Sequence, residues 1–147
     1  MIIFDLDGTL ADCEHRRHFV DGTRSTPDWK SFYEACDEDE PIEAVSKIFD
    51  DLAVDNEIEI WSGRCESVRE KTLEWFCNYI PYSGQKIKMR PIGDNTPDDQ
   101  LKERWLDEVV RENRTIEFVF DDRPKVVRMW RRRGIFVFDC NQSGKEF

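Results

Sequence analysis

The chain has 147 residues, 39% of them hydrophobic and 12% aromatic, which predicts one folded domain over residues 1–147. Its net charge of −10 argues against a surface that wraps a long stretch of nucleic acid, although a pocket for a strand end stays compatible with it. The five cysteines lack CxxC spacing, so we expect reduced thiols in a cytoplasmic protein. Since no apolar run approaches roughly 18 residues and the first strand begins at Ile2, we expect neither a membrane span nor a signal peptide.

The chain starts with a short apolar strand, Ile2–Phe4, which ends at two acids. The hydrophobic residues within 11–40 do not recur at a regular spacing. This segment is predicted to be a small loop-rich insertion with one short helix near Trp29–Ala35. From Pro41 onward the hydrophobic residues recur at helical spacing, and Pro41 is suited to the first turn of the predicted helix. Its apolar face consists of Ile42, Val45, Ile48, Phe49 and Leu52.

The middle of the chain repeats this pattern. The alternating run 57–61 predicts a strand that ends at Ser62, Gly63 and Arg64. A helix follows, then a short strand at 87–89 and, after a loop rich in turn residues, a second helix. The apolar positions of these two helices are Val68, Leu73, Trp75, Phe76 and Tyr79 in the first, and Leu101, Trp105, Leu106 and Val109 in the second.

The last third predicts a strand at 116–120, a helix from Pro124 to Arg133 and a final strand at 135–138. Strands that alternate with helices predict an α/β fold with a mostly parallel central sheet and helices on both faces. In such sheets, ligands bind beyond the carboxyl ends of the strands. Three of the predicted strands end in polar residues: DLDGT, SGR and DDR.

Four carboxylates meet if those strand ends converge. They are Asp5, Asp7, Asp121 and Asp122. So many like charges in one crevice need a cation, and all-oxygen ligands favour Mg²⁺. The sequence therefore predicts a magnesium site built from these four residues.

The same residues suggest chemistry on a phosphate ester. Asp5 is the candidate nucleophile, which forms an aspartyl-phosphate, and Asp7 is the candidate acid and base. Lys102 can neutralise charge in the transition state, and Ser62 can donate a hydrogen bond to the transferring group. Gly8 permits close approach of the backbone to the phosphate, and Thr9 offers a hydroxyl.

These motifs, in this order, resemble the four motifs of the haloacid dehalogenase (HAD) superfamily: DLDGTL at 5–10, Ser62, Lys102 and the Asp121–Asp122 pair. The resemblance spans nearly the whole chain. It implies a Rossmann-like sheet, bound Mg²⁺ and, in most members, phosphatase activity.

A narrower likeness is to the 3′-phosphatase domain of phage polynucleotide kinase-phosphatases, carried by the stretches 62–76, 93–103 and 120–134. It implies that Arg16, eleven residues after Asp5, and the Gly63–Arg64 pair bind substrate phosphate. Arg69 and Arg90 are further candidates. A P-loop of the form GxxxxGK[ST] is absent from the sequence, so we expect no 5′-kinase activity from it, and a separate kinase or ligase partner stays an open question.

Several tempting patterns have plainer interpretations. A second DGT, at Asp21–Thr23, lacks a preceding strand and is predicted to be a turn. The 131–133 arginine run fits a helix C-terminus, and His15 and His18 are expected to be solvated rather than metal ligands. Trp75, Trp105 and Trp130 are expected in the core, whereas Trp29 and Tyr33 are freer to touch substrate.

The sequence thus predicts a Mg²⁺-dependent phosphomonoesterase, with a nucleic-acid 3′-phosphate end as the favoured substrate. Two alternatives stay open. One is a phosphatase for nucleotides or other small phosphate esters. The other is a non-catalytic domain that binds phosphorylated ends, against which the combination of a nucleophile and an acid argues.

Overall fold

The computed structural model describes residues 1–80 and 84–144. Its strands, in chain order, are β1 (Ile2–Phe4), β2 (Ala11–Asp12), β3 (Glu40–Pro41), β4 (Ile58–Cys65), β5 (Lys86–Arg90), β6 (Phe118–Asp121) and β7 (Phe136–Asp139). Five of these described strands form a parallel sheet in the order β5-β4-β1-β6-β7. The other two, β2 and β3, pair antiparallel and join the two ends of the 11–40 insertion.

The helices are α1 (Trp29–Glu34), α2 (Glu43–Ala53), α3 (Arg69–Tyr79), α4 (Asp98–Arg111) and α5 (Pro124–Arg132). Short 3₁₀ helices cover Glu14–Phe19, Cys36–Glu38 and Glu66–Val68. Pro124 occupies the first turn of α5, and Gly134 follows that helix with φ +74°. None of the helices within the described residues has the length and apolar character that a membrane crossing requires.

Each face of the sheet has its own apolar core, because successive side chains of a strand point to opposite faces. Phe4 of β1 packs with Phe49 of α2 and Trp75 of α3 on one face. Ile3 packs on the other face with residues of α4 and α5, including Trp130. The predicted α/β class, with helices on both faces of a parallel sheet, is therefore confirmed.

The tryptophans and arginines of the helices behave as expected. Trp75, Trp105 and Trp130 are buried. Arg132 and Arg133 pair with Glu103 at 2.9 and 3.1 Å, which joins the end of α5 to α4. The second DGT is a turn in which the Asp21 carboxylate accepts from the Thr23 amide at 2.9 Å.

The end of β4 differs from the prediction. The strand does not stop before Ser62 but continues to Cys65, with a register shift between those two residues. Ser62 is paired with Met89, and Cys65 with Arg90, so two β4 residues, Gly63 and Arg64, bulge out between them. The polar residues that looked like the end of a strand therefore form a bulge within it.

The central strand gives a test of the core. The Phe4 ring stacks on Phe120 at 4.3 Å and meets the edge of Phe49 at 5.1 Å. Because Phe4→Ala leaves a cavity between these rings, we expect it to lower the free energy of unfolding by about 3 to 5 kcal/mol in urea denaturation. Phe136→Ala is the control, since this ring is 65% exposed, and we expect a change within about 0.5 kcal/mol. Equal effects of the two substitutions would contradict this description of the core.

Candidate active site

The polar strand ends lie at one edge of the sheet because β1 sits between β4 and β6. Asp5 and Asp7 follow β1, Asp121 ends β6, and Ser62 lies directly before the β4 bulge that contains Gly63 and Arg64. A pocket of about 570 Å³ opens at this edge. Its lining includes Asp5, Asp7, Gly63, Lys102 and Asp122 together with residues of the 11–40 insertion.

Three of the predicted metal ligands form a tight group, which we call the acidic cluster: Asp5, Asp121 and Asp122. Each offers a carboxylate oxygen, and these oxygens lie within 4.8 Å of one another. All three residues are buried. The Lys102 ammonium lies 2.8 Å from Asp5 Oδ1 and 2.8 Å from Asp121 Oδ2. Although burial favours a neutral amine, these two carboxylates raise the pKa of Lys102.

One lysine does not balance three buried carboxylates. Burial, reinforced by the charges of Asp5 and Asp121, raises the pKa of Asp122 to about 9. Burial also raises the pKa of Asp5 to about 6, although Lys102 opposes it. An all-oxygen group of this size and charge fits a hard divalent cation such as Mg²⁺.

Gly8 lets the chain after β1 pass directly over the acidic cluster. Its φ is +84°, and a Cβ at this position would overlap the Asp122 carboxylate. Glycine is therefore required here twice, once by its backbone conformation and once by the space that Asp122 occupies.

Asp7, which the sequence analysis counted among the four residues of the metal site, lies outside the acidic cluster. Its Oδ1 instead accepts hydrogen bonds from Arg16 Nη2 at 2.7 Å and Arg64 Nε at 2.8 Å. Although burial opposes ionisation, these two guanidinium groups lower the pKa of Asp7. The two acids of the DLD motif thus have environments of opposite character.

Asp39 holds the two arginines in place. Its carboxylate accepts from Arg16 Nε at 2.7 Å and from Arg64 Nη2 at 2.5 Å, and His15 Nε2 lies 2.9 Å from it. The Arg16, Arg64 and Asp39 side chains have no solvent exposure. We call the group formed by Asp7, Asp39, Arg16 and Arg64 the buried ion network.

The remaining predicted residues occupy different places. Ser62 is buried, and its Oγ accepts from the Arg64 amide at 3.1 Å. Thr9 is fully buried, and its Oγ1 has no hydrogen-bond partner among the described residues. Gly63 does line the pocket, and its carbonyl accepts from Arg90 Nε at 3.0 Å.

Arg69 and Arg90, predicted as further phosphate contacts, are not in the lining of the pocket that the described residues form. Arg69 pairs with Glu66 at 2.6 Å and donates to the Ile87 carbonyl. Arg90 donates to the carbonyls of the 94–96 loop and pairs with Asp98. Both arginines therefore brace the chain around β5.

Two cations that do line the pocket were missed by the sequence-based selection. Arg17 lies 3.5 Å from Asp122, and Arg123 pairs with Asp98. Arg123 belongs to the DDR motif, which was a usable signal. Asp39 was missed as well, because it stands in the acidic run 37–40 with no pattern that separates it from its neighbours.

Comparison with known proteins assigns the family. A family model described as "Polynucleotide kinase PNKP phosphatase domain" matches residues 1–144. The chain belongs to this family. It is a phosphatase domain of the HAD superfamily, which confirms what its motifs implied.

Relatives of this phosphatase domain are considerably longer. A protein of Autographa californica nuclear polyhedrosis virus described as a putative bifunctional polynucleotide kinase/RNA ligase is 34% identical over 134 residues, which covers 87% of this chain and 19% of the relative. A chain of the Pnkp1/Rnl/Hen1 RNA repair complex is 27% identical with a TM-score of 0.73. The match covers 94% of this chain and 41% of the repair-complex chain. A chain in a second structure of the complex is 28% identical with a TM-score of 0.75, and the match covers 95% of this chain and 45% of that chain.

A more distant structure supports the fold alone. The class C acid phosphatase from Bacillus anthracis is 14% identical with a TM-score of 0.60, covering 99% of this chain and 73% of its own. The phosphatase domain thus spans less than half of the kinase/ligase relative and of the repair-complex chains.

The buried ion network predicts a large effect for Asp39→Asn. Because this substitution leaves two buried guanidinium groups with one carboxylate between them, we expect the free energy of unfolding to fall by about 3 kcal/mol or more. Asp37→Asn is a matched control two residues away, where the acid pairs with Lys71 at 2.9 Å and is 40% exposed. We expect a change of about 1 kcal/mol or less for it in the same chemical denaturation series. Similar losses for the two variants would show that the network does not anchor the fold.

Proposed function

We propose that this phosphatase domain is a Mg²⁺-dependent phosphomonoesterase that works through an aspartyl-phosphate on Asp5 and removes 3′-phosphates from nucleic-acid ends. The observation that carries the proposal is that Asp5 and Asp7, two residues apart, lie in different electrostatic surroundings. Asp5 lies against Lys102 in the acidic cluster, whereas Asp7 lies between two arginines. Residues 1–147 are proposed to act as one domain.

The acidic cluster is the proposed metal site. Asp5, Asp121 and Asp122 would hold the ion through carboxylate oxygens, the ligands that Mg²⁺ prefers. When bound, Mg²⁺ supplies charge screening between an anionic nucleophile and an anionic phosphate. Lys102 favours the ionised Asp5 carboxylate and orients it, because its ammonium lies 2.8 Å from Asp5 Oδ1.

The first step transfers the phosphoryl group to the protein. A carboxylate oxygen of Asp5 attacks phosphorus in line, the bond from phosphorus to the ester oxygen breaks, and Asp7 gives its proton to that leaving oxygen. In the second step, water attacks the phosphorus of the aspartyl-phosphate, Asp7 accepts a proton from that water, and the bond from phosphorus to the Asp5 oxygen breaks. Inorganic phosphate leaves, and Asp5 and Asp7 return to their starting states.

The buried ion network sets the protonation of Asp7 for this cycle. With both arginines directed at it, Asp7 has a lowered pKa, which favours the ionised form that can accept a proton from water. A bound phosphate dianion repels the Asp7 carboxylate, which raises the pKa of Asp7. Substrate binding therefore favours the protonated Asp7 that the first step needs.

The nucleic-acid end is the proposed substrate class. Relatives of this chain include a protein described as a putative polynucleotide kinase/RNA ligase and a chain of an RNA repair complex, which supports a polynucleotide substrate. Arg17 and Arg123 line the pocket and are proposed to attract its phosphates. Because these relatives are described as a kinase/ligase and as part of an RNA repair complex, we propose that a kinase or ligase activity acts together with this domain.

Removal of the nucleophile tests the mechanism. We expect Asp5→Asn to abolish phosphate release from a 3′-phosphorylated oligonucleotide, and a metal chelator to abolish it in the unmodified protein. Asp50→Asn, on the exposed surface of α2, is the control and should leave the rate unchanged. The assay compares 3′- and 5′-phosphorylated oligonucleotides with free nucleoside monophosphates at equal concentration. Turnover by Asp5→Asn would refute the mechanism, and a preference for free nucleotides would refute the substrate class.

The acidic cluster also predicts a stability change that depends on the metal. Without Mg²⁺, Asp122→Asn should be at least as stable as the unmodified protein, because burial next to Asp5 and Asp121 disfavours the ionised Asp122 carboxyl, and this penalty is absent for a neutral amide. Free Mg²⁺ at about 100 Kd should stabilise the unmodified protein by about 2.7 kcal/mol, measured by thermal or chemical denaturation. The Asp122→Asn protein should gain much less, and Asp50→Asn should gain as much as the unmodified protein. Equal gains for all three would exclude the cluster as the metal site.

A further inference from the structure

Part of the wall of the pocket is aromatic. Trp29, Phe32 and Tyr33, all from α1, form what we call the aromatic wall. They line the same cavity as Asp5 and Lys102. One pocket therefore joins a phosphate-processing edge to a surface of aromatic rings.

Contacts with neighbouring residues stabilise the position of the aromatic wall. The Phe32 ring centroid is 5.8 Å from that of Trp29 in an edge-to-face arrangement, and the Arg16 guanidinium lies 4.2 Å from the centre of the Phe32 ring. The Tyr33 hydroxyl donates to the Gly63 carbonyl at 3.3 Å, which ties α1 to the β4 bulge. The wall is thus fixed in position relative to the acids.

Trp29 itself is not a core residue. It is 44% exposed, whereas Trp75, Trp105 and Trp130 are 6% exposed or less. Phe32, at 8% exposure, serves as its support. The structure therefore presents an indole ring to solvent inside the catalytic pocket, which costs apolar burial unless a ligand covers the ring.

We propose that Trp29, supported by Phe32 and Tyr33, is a stacking site for the nucleobase of the nucleotide that carries the phosphate. This inference rests on the proposed phosphatase function. A volume of about 570 Å³ lies within the range of small-ligand pockets and accommodates a phosphate together with a sugar and a base. Every base has a π-face, so stacking of this kind accepts all four bases while disfavouring phosphate esters that have none.

The test compares two oligonucleotides that differ in one group. Both end in a 3′-phosphate, but in one of them the terminal sugar has no base, so charge, length and scissile bond are the same. We expect the unmodified protein to prefer the base-bearing end. Trp29→Ala should lower kcat/KM for that end about ten-fold, the size of one base stacked on an aromatic ring, and should lower it much less for the abasic end. Trp29→Phe should recover part of the loss.

Tyr79→Ala is the matched control. Tyr79 is 47% exposed on α3, is also aromatic, and is not in the lining of the pocket formed by the described residues. We expect this variant to treat both oligonucleotides as the unmodified protein does. If Trp29→Ala lowers kcat/KM equally for both ends, or for neither, the stacking site is refuted.

A binding measurement tests the stacking site independently of the phosphatase mechanism. The affinity of the Asp5→Asn protein for each oligonucleotide, with and without Trp29→Ala, is measured by fluorescence anisotropy of a label at the 5′ end. A base-dependent loss of about ten-fold on Trp29→Ala supports the stacking site even if the unmodified protein releases no phosphate, in which case only the phosphatase mechanism fails. Equal affinities for the two ends, unaffected by Trp29→Ala, refute the stacking site whatever the turnover.

Discussion

Repulsion among buried carboxylates at one edge of the sheet is the constraint to which the rest of the structure responds. Asp5, Asp121 and Asp122 lie together because parallel strands deliver their carboxyl ends to the same place. Lys102, from α4, offsets part of this charge, and Gly8 leaves the space that Asp122 needs. The charge that remains is the physical reason for assigning a cation to this site.

The second acid of the DLD motif is stabilised by a different set of charges. Asp7 and Asp39 alternate with Arg16 and Arg64 in a group that is nearly closed to solvent. Burial and Asp121 raise the pKa of Asp5, while the two arginines lower that of Asp7. Two chemically identical side chains two residues apart thereby have pKa values shifted in opposite directions, as in other sites where neighbouring carboxyl groups are driven to different pKa values.

Much of this arrangement was readable from the sequence. The strand before DLDGTL and the periods of the helices predicted the order of the main elements and most of the apolar helix positions, although two of those positions, Ile48 and Tyr79, are 43% and 47% exposed. The β4 bulge was not predictable, because the pattern of EIEIWSGRC does not distinguish the end of a strand from an inserted residue. Asp39 was hidden for another reason. Its importance depends on arginines that are distant in sequence, and the acidic run around it looks like any solvated loop.

The position of the aromatic wall is another feature that the sequence predicted only in part. Trp29 and Tyr33 were expected to be free to touch substrate because they lie in the insertion, but their place in the same pocket as Asp5 depends on how β2 and β3 close the insertion. Thr9 shows that proximity in sequence to a catalytic motif does not place a side chain in the pocket.

The hydrogen bond between Arg64 and Asp7 joins residues 57 positions apart, and this separation has a consequence for how the chain folds. β1 is synthesised before the other strands, yet both strands that flank it, together with Arg64 and Lys102, come much later in the chain. Because closing such loops costs entropy before any contact is gained, we expect these contacts of the site to form late in folding. Until β6 has been synthesised, the first strand carries two acids at a sheet edge that is not yet complete.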